Sequence, residues 1–575
     1  MISTTAPRGR RRHLLVAAAI YTLVTVILFR GYWMDPFHLA PAGGPDASQM
    51  IWFLRWVPFA IAHGRNPLVT TWALYPLGAN LMWNTSILLP SALMAPITLS
   101  AGPVFAYDAL HSLAFILSAW TAYVAIHRLT GSKAGALAGG AVYAFSPFML
   151  GEGLGHAQLF VAVFPPLVLL LGHELACGNR PPWQPGMALG VAAAAQLLTG
   201  EELLAITALT AAIAAAIAVL MNPGTAARLA PRAAAGLAWA AVAFAPLAAV
   251  PLLVQFRGPQ RPGGVLHTDV GIYHNDLLTL VVPGGLEQFD PAGLAGRFGN
   301  SLPHGGFLGV PLIAGLVLAV LAIRSRRLYG WAAIGAAVMF LLSLGDNLYI
   351  GGRSTGIPLP WRLFDHVPLL GNTLTARLVA CGYLLAGVVV AGAVVEARAA
   401  RGLTRALFAG LAGLSLLTLA PTLQYPVASQ TAPAFFRPGG EVRRFAVGDV
   451  AVMVPFIDES PRAMMWQAIA DMRYRTPSGY LFIPGPSYPI LYAPPSPLRN
   501  ALNSAEAGRP LTPLDSGDRA AMAGDLTAWH ARAIVVGPMA NQARTIAFVT
   551  ALMRRPPEFT GGVYVWWDVS PAEVL

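Results

Sequence analysis

The sequence predicts an α-helical polytopic membrane protein with about eleven transmembrane helices and a small α/β domain at the C-terminal end. Three observations carry this expectation. Hydrophobic residues make up 56% of the 575-residue chain and charged ones only 11%, and the mean hydropathy of +0.58 is well above what filling the core of a soluble domain requires. Apolar runs approaching the thickness of a bilayer recur through the first 421 residues, punctuated by short basic clusters. Beyond residue 421 that pattern gives way to shorter segments of alternating character.

The first run, 14–33, follows Arg8, Arg10, Arg11 and Arg12 and lacks a small-residue cleavage site, so it reads as a retained span. The others lie at 104–127, 134–150, 159–176, 185–200, 203–220, 233–254, 306–323, 329–345, 377–396 and 405–421. With the N-terminus in the cytoplasm, the connections carrying His127 to Lys133, Arg180, Arg228 to Arg232, Arg324 to Arg327 and Arg398 to Arg405 all fall on the cytoplasmic side, as the positive-inside rule asks. The stretch 87–99 is short and contains Pro90 and Pro96. Counting it as a span would reverse every later cluster, so it is read as an interfacial or re-entrant helix. The segment 46–63 sets Ser48, Arg55 and His63 on a helix otherwise rich in Trp52, Phe53, Trp56 and Phe59, and is expected to lie on the membrane surface.

The outward connections are then 34–103, 151–158, 201–202, 255–305 and 346–376. Residues 1–421 form the transmembrane domain. The tail, 422–575, combines β-like runs (445–454, 533–536, 562–567) with helical ones (462–472, 517–529, 542–553) and reads as an extracytoplasmic α/β domain, with Ser516 as the N-cap of its second helix.

The net charge of +11 sits in the clusters that orient spans, so nucleic acid is not a partner; the surrounding lipid is. Two cysteines, Cys177 and Cys381, at or inside spans exclude a disulfide framework and a cysteine metal site. Asp46, Glu152, His156, Glu201, Glu202, His267, Asp269, His274, Asp276, Asp346 and Arg377 all map to outer loops or outer span ends. A transporter would place such groups near the midplane. An outward-facing active site would place them as found.

The stretch "GGPDASQ" directly after the first span, two short helices in the first loop, "HRLTGSKAGALAGGAVYAFSPF" across the second and third spans, and a C-terminal soluble domain together resemble the C-type (GT-C fold) integral membrane glycosyltransferase superfamily. "NPLVTTWALYPLGANLMWNTS" is likewise similar to first loops of bacterial proteins with that fold. The resemblance covers the membrane part. It implies an enzyme, a hexosyl- or pentosyltransferase, that takes a sugar from a polyprenyl-phosphate carrier and passes it to an extracytoplasmic glycan, lipid or protein acceptor at the cell membrane. The alternatives are a non-catalytic glycolipid-binding membrane protein, a lipid-linked sugar translocase, for which the sequence displays no buried charged pair, and a scaffold whose α/β tail binds a partner.

Through the resemblance Asp46 matches the first-loop acid that in inverting members acts as base toward the acceptor hydroxyl. Its plainer reading is a helix N-cap. Glu152 and His156 in "GEGLGHAQL" are four apart and face the site if the helical register continues, although Gly151, Gly153 and Gly155 favour a turn. They are candidates for acceptor binding. Glu201 and Glu202 form an outer hairpin, one acid facing the cavity; Glu201 is taken as substrate-binding. Arg377 could grip the carrier phosphate with its planar fork, with Arg353 and Arg362 as rivals, or could simply snorkel. The run "HTDVGIYHND" holds His267, Asp269, His274 and Asp276. Its composition could hold a divalent metal, as in some members of the superfamily, but no spacing in it is diagnostic and a polar loop is the plainer reading.

Overall fold

The computed structural model describes residues 8–41, 44–262, 273–289, 305–364, 367, 370–456, 462–485, 489–511 and 513–575. The chain folds into two compact units, one built from Met1–Met34, Leu110–Ala249 and His267–Pro426, the other from Asp35–Ala109, Val250–Leu266 and Val427–Leu575. The fold is mostly helical, and each of the eleven apolar runs is helical over most of its length. Among the described residues five apolar segments are long enough to cross a membrane: Pro103–Thr130, Ala157–Cys177, Glu201–Met221, Pro223–Arg257 and Thr375–Ala399. Arg12–Leu28, Leu88–Ala101, Gly309–Leu321, Arg327–Ser343 and Gly402–Thr418 are shorter apolar helices.

Small residues bring the helices of the first unit together. Ser132 caps the helix Lys133–Ala144 by accepting from the Gly135 amide at 3.1 Å. Gly135 and Gly139, four apart, lie against Gly387 and Ala391 of the helix Val379–Ala399: a Cβ on Gly135 would stand 2.8 Å from the Ala391 carbonyl oxygen, and one on Gly387 would stand 2.5 Å from that of Gly139. A second seam sets Gly186 and Gly190 against Gly236 and Ala240. With no hydrophobic force between helices in lipid, such close backbone approach is what holds spans together. The run 134–150 is not one helix. It stops at Ala144 and restarts at Pro147, where Ser146 caps Pro147–Glu152.

The second unit carries a five-stranded sheet in the order Glu558–Thr560, Val563–Trp567, Ala531–Val536, Asp449–Val454, Tyr474–Arg475. The first two pairings are antiparallel and the last two parallel. The central strands are apolar on both faces, as strands covered on both sides are. Helices Arg462–Ile469, Ser516–Ala528 and Gln542–Met553 occupy the helical runs of the tail. The cap of the second is Asp515, whose carboxylate accepts from the Asp518 amide at 2.7 Å, one residue before the expected Ser516. An anionic acceptor at a helix start outdoes a hydroxyl.

The segment expected on the membrane surface, now the helix Asp46–Ala62, is enclosed by protein instead: thirteen of its seventeen residues are buried. It packs on Leu88–Ala101 and Arg462–Ile469. Trp52 donates to the Gln467 side-chain oxygen at 2.6 Å, and the Gln467 amide donates to the carbonyls of Trp72 (2.9 Å) and Tyr474 (2.7 Å). Gln467 is fully buried and uses both ends of its amide, as a polar group in an apolar core must. Arg55 of the expected polar stripe pairs with Asp471 at 3.0 Å.

Candidate functional site

In the first unit the short helix Pro147–Glu152 delivers Glu152 into the interior at 1% exposure. Gly153 keeps helical angles, and the His156 amide still donates to the Glu152 carbonyl at 2.9 Å. The helix ends at Glu152 and residues 153–155 form a turn, as the glycines favour, and this turn still brings His156 Nδ1 to 2.8 Å from Glu152 Oε2. Arg377 stands in the 3-10 turn Thr375–Leu378 that leads into the helix Val379–Ala399. One backbone and one side-chain bond hold that turn: the Ala376 amide donates to the Tyr273 carbonyl at 3.0 Å, and Asn275 Nδ2 to the Ala376 carbonyl at 3.2 Å.

The Arg377 guanidinium joins two acids. Its Nε lies 3.6 Å from Glu152 Oε1, and its Nη1 donates to Glu202 Oε2 at 2.5 Å. Glu202, in the first turn of the helix Glu201–Met221, also accepts from the Leu374 amide at 3.3 Å. Glu201, the acid expected to bind substrate, opens the same helix. Burial by itself would raise the Glu152 carboxyl, but the opposing charges of Arg377 and His156 and the bonds they make hold it below the ordinary carboxylate range. Glu152 is therefore ionised at neutral pH.

Arg362 is exposed on the turn Pro360–Leu363, beside the buried Trp361, and makes no side-chain ion pair among the described residues. Arg353 is exposed on the hairpin Asn347–Ile350 and Arg353–Pro358. Asp276, whose place in this arrangement the sequence does not reveal, clamps that hairpin: its carboxylate accepts from the amides of Gly351 (3.0 Å), Gly352 (2.8 Å) and Leu278 (2.8 Å). Only the acid directly before a short helical turn hints at a capping role.

His267 and Asp269 lie outside the described residues. His274 stacks on Tyr349 with ring centroids 4.0 Å apart. Among the described residues no group of three or more His, Cys, Asp or Glu could hold a metal ion.

Asp46 belongs to the second unit. It is the first residue of its helix, with Pro45 in the cap position, and it is half-buried. Tyr480 donates to its Oδ1 at 3.4 Å, and Gln49 donates to the Tyr480 carbonyl at 2.5 Å. Tyr480 comes from the tail, 434 residues away, and no sequence signal points to it.

No family model matches the chain, and no curated protein matches it. Among solved structures it is similar to the arabinofuranosyltransferase AftD from Mycobacteria, with a TM-score of 0.57 and 16% identity over 97% of this chain. The chain spans 40% of the length of AftD. It also aligns with the oligosaccharyltransferase of Archaeoglobus fulgidus (TM-score 0.49, 12% identity, 92% of this chain and 70% of that one). A third alignment is with ArnT from Cupriavidus metallidurans (TM-score 0.44, 14% identity, 99% of both chains). The chain has the GT-C fold.

Proposed function

We propose that the chain is a membrane glycosyltransferase that moves a sugar from a polyprenyl-phosphate carrier to an extracytoplasmic glycan, lipid or protein acceptor, with inversion at the sugar. The observation that carries the proposal is the cluster of buried Glu152 with the partly buried His156, Arg377 and Glu202 at the ends of apolar helices, in a chain whose fold is that of AftD, a named arabinofuranosyltransferase. Charge gathered at helix ends suits an interfacial site better than a midplane one.

The chemistry needs little more than these groups. A sugar phosphate already carries its leaving group, so the enzyme supplies a base on the acceptor side and cations on the phosphate side. Asp46 takes the acceptor hydroxyl proton as that oxygen bonds to the sugar C1 and the C1–O bond to phosphate breaks, releasing polyprenyl phosphate. Glu152, His156 and Glu201 bind the acceptor. Arg377, whose charge is already shared between Glu152 and Glu202, holds the Glu152 carboxyl below its ordinary range, and the exposed Arg362 meets the phosphate. In this reading residues 1–421 form the membrane domain with eleven crossings and a cytoplasmic N-terminus, and 422–575 lie outside.

A second reading, a translocase for lipid-linked sugar, is favoured by one observation: the same cluster sets a buried acid, Glu152, against a partly buried arginine, a charged pair of the kind such a carrier needs. Purified protein in liposomes, given labelled polyprenyl-phosphate sugars with the arabinofuranosyl form first, separates the two. The enzyme transfers label to acceptor, and Asp46→Asn, which keeps size and removes charge, lowers transfer by about 10²-fold or more with thermal stability little changed. Near-normal transfer by Asp46→Asn removes Asp46 as base. Movement of labelled carrier across the bilayer without transfer replaces the enzyme by the translocase.

A further inference from the structure

In the first unit the helices Gly309–Leu321, Arg327–Ser343, Val379–Ala399 and Gly402–Thr418 pack together around a cavity of about 600 Å³. That volume is within the range of roughly 300–1,000 Å³ typical of small-molecule sites. Leu318, Val389, Phe408 and Leu411 line its apolar depth, and Arg326, Tyr329 and Glu396 its mouth. Gly392 makes room for the mouth: a Cβ there would stand 2.8 Å from the Tyr329 ring, so the ring lies directly on the helix backbone. Arg326 is spoken for, held by Glu396 through Nε at 2.5 Å and Nη2 at 3.1 Å.

Around that mouth the connections between helices carry Arg324, Arg327, Arg398, Arg401 and Arg405, all exposed and none in an ion pair among the described residues. No Asp or Glu lies in 322–327 or 397–405. An apolar slot beside two connections rich in exposed, unpaired arginines has two demands, a hydrocarbon chain below and an anion above. A zwitterionic lipid meets only the first and a soluble phosphate only the second.

We propose that this end of the unit binds a phospholipid with a net anionic headgroup, one acyl chain in the slot and the phosphate among the arginines of the two connections. Basic pockets between membrane helices recognise such headgroups. The site is separate from the Glu152–Arg377 cluster. Arg377 and Glu396 bracket the helix Val379–Ala399, and at 1.5 Å per residue they stand roughly 28 Å apart along it, about the thickness of the hydrocarbon core.

The test titrates phosphatidylglycerol and phosphatidylcholine of identical chains into the delipidated full-length protein in detergent, reading bound lipid by native mass spectrometry and the apparent Tm. The parent should retain phosphatidylglycerol preferentially and gain Tm from it, and sn-glycerol phosphate alone should do neither. The combined Arg398→Gln, Arg401→Gln, Arg405→Gln variant should lose roughly tenfold or more of that preference, since each arginine near an anionic headgroup contributes to binding. Ala319→Trp fills the slot with every arginine in place, and should lower retention of both lipids. Equal retention of the two lipids by the parent overturns the proposal. So does unchanged phosphatidylglycerol retention by both variants, or protection by sn-glycerol phosphate equal to that by the lipid.

Discussion

Removing the guanidinium of Arg377 should reverse the sign of what Glu152 does for stability. Glu152 is 1% exposed and its Oε1 lies 3.6 Å from Arg377 Nε. At that separation and an effective dielectric of about 20 the attraction is on the order of 4–5 kcal/mol, much of it offset by the desolvation of both groups. Arg377→Met leaves buried Glu152 and half-buried Glu202 without their cation and should cost about 3–5 kcal/mol. Glu152→Gln in the parent should cost about 1–3 kcal/mol, because Arg377 and His156 lose an anion they face. In the Arg377→Met background the same change removes a buried charge faced only by His156 and should restore about 1–3 kcal/mol. The assay is thermal unfolding of the parent, both single variants and the double variant, in one detergent and at one scan rate. Acid should act in the same sense. In the parent the Glu152 carboxyl is depressed, so its contribution is full above the unfolded carboxylate pKa and is lost only as pH falls through the lower folded value. In Arg377→Met burial acts with less opposition, so the deficit against the parent should shrink as pH falls toward about 4. Equal effects of Glu152→Gln in the two backgrounds would refute the coupling and leave Glu202 as the acid that Arg377 serves.

Gly139→Ala should destabilise by about 1–3 kcal/mol, because its methyl meets the Gly387 carbonyl and Ile126 Cδ1 at 2.8 Å; Gly172→Ala, with open space at its Cβ, should be neutral or gain up to about 1 kcal/mol. Both are read from the same melts, and equal outcomes would remove the small-residue seam. Asp276→Asn puts an amide donor where three backbone amides donate, so hydrogen exchange in 347–358 should rise, corresponding to a loss of about 1–3 kcal/mol; unchanged exchange there would mean the hairpin holds itself. A single cysteine introduced after Pro421 should react with an impermeant thiol reagent from outside cells, and labelling only after permeabilisation would reverse the proposed orientation of the tail.

What could be read from the sequence was what local rules govern. Hydropathy located the helices, because every apolar run satisfies its own backbone, and basic clusters marked their ends. The nearness of Glu152 and His156 was legible for the same reason, since the turn that Gly153 and Gly155 favour is closed by a backbone bond from the His156 amide to the Glu152 carbonyl. The partners of that pair were not legible. Glu202 is 175 residues from Arg377 and Tyr480 is 434 from Asp46, and composition does not say which distant segments meet. The aromatic residues of 46–62 suited a membrane surface and a protein core equally. What decided between them was Gln467, a buried amide from the tail placed to receive the Trp52 indole.

The same distinction bears on the quoted acid of the first loop. Asp46 could have been explained wholly by its helix if it occupied the cap, as Asp515 does for Ser516–Ala528. Pro45 holds that position instead and provides no side-chain cap bond. The Asp46 carboxylate is thus one residue inside the helix, half-exposed, where the aligned amides favour negative charge without requiring this residue to provide it. Its hydrogen bond from Tyr480 orients one oxygen, and Tyr480 is itself held through its carbonyl by Gln49, one turn along the helix from Asp46. Tyr480→Phe should therefore lower transfer through Asp46 without abolishing it. That variant leaves the carboxylate and the helix start in place and removes only the hydroxyl that aims it.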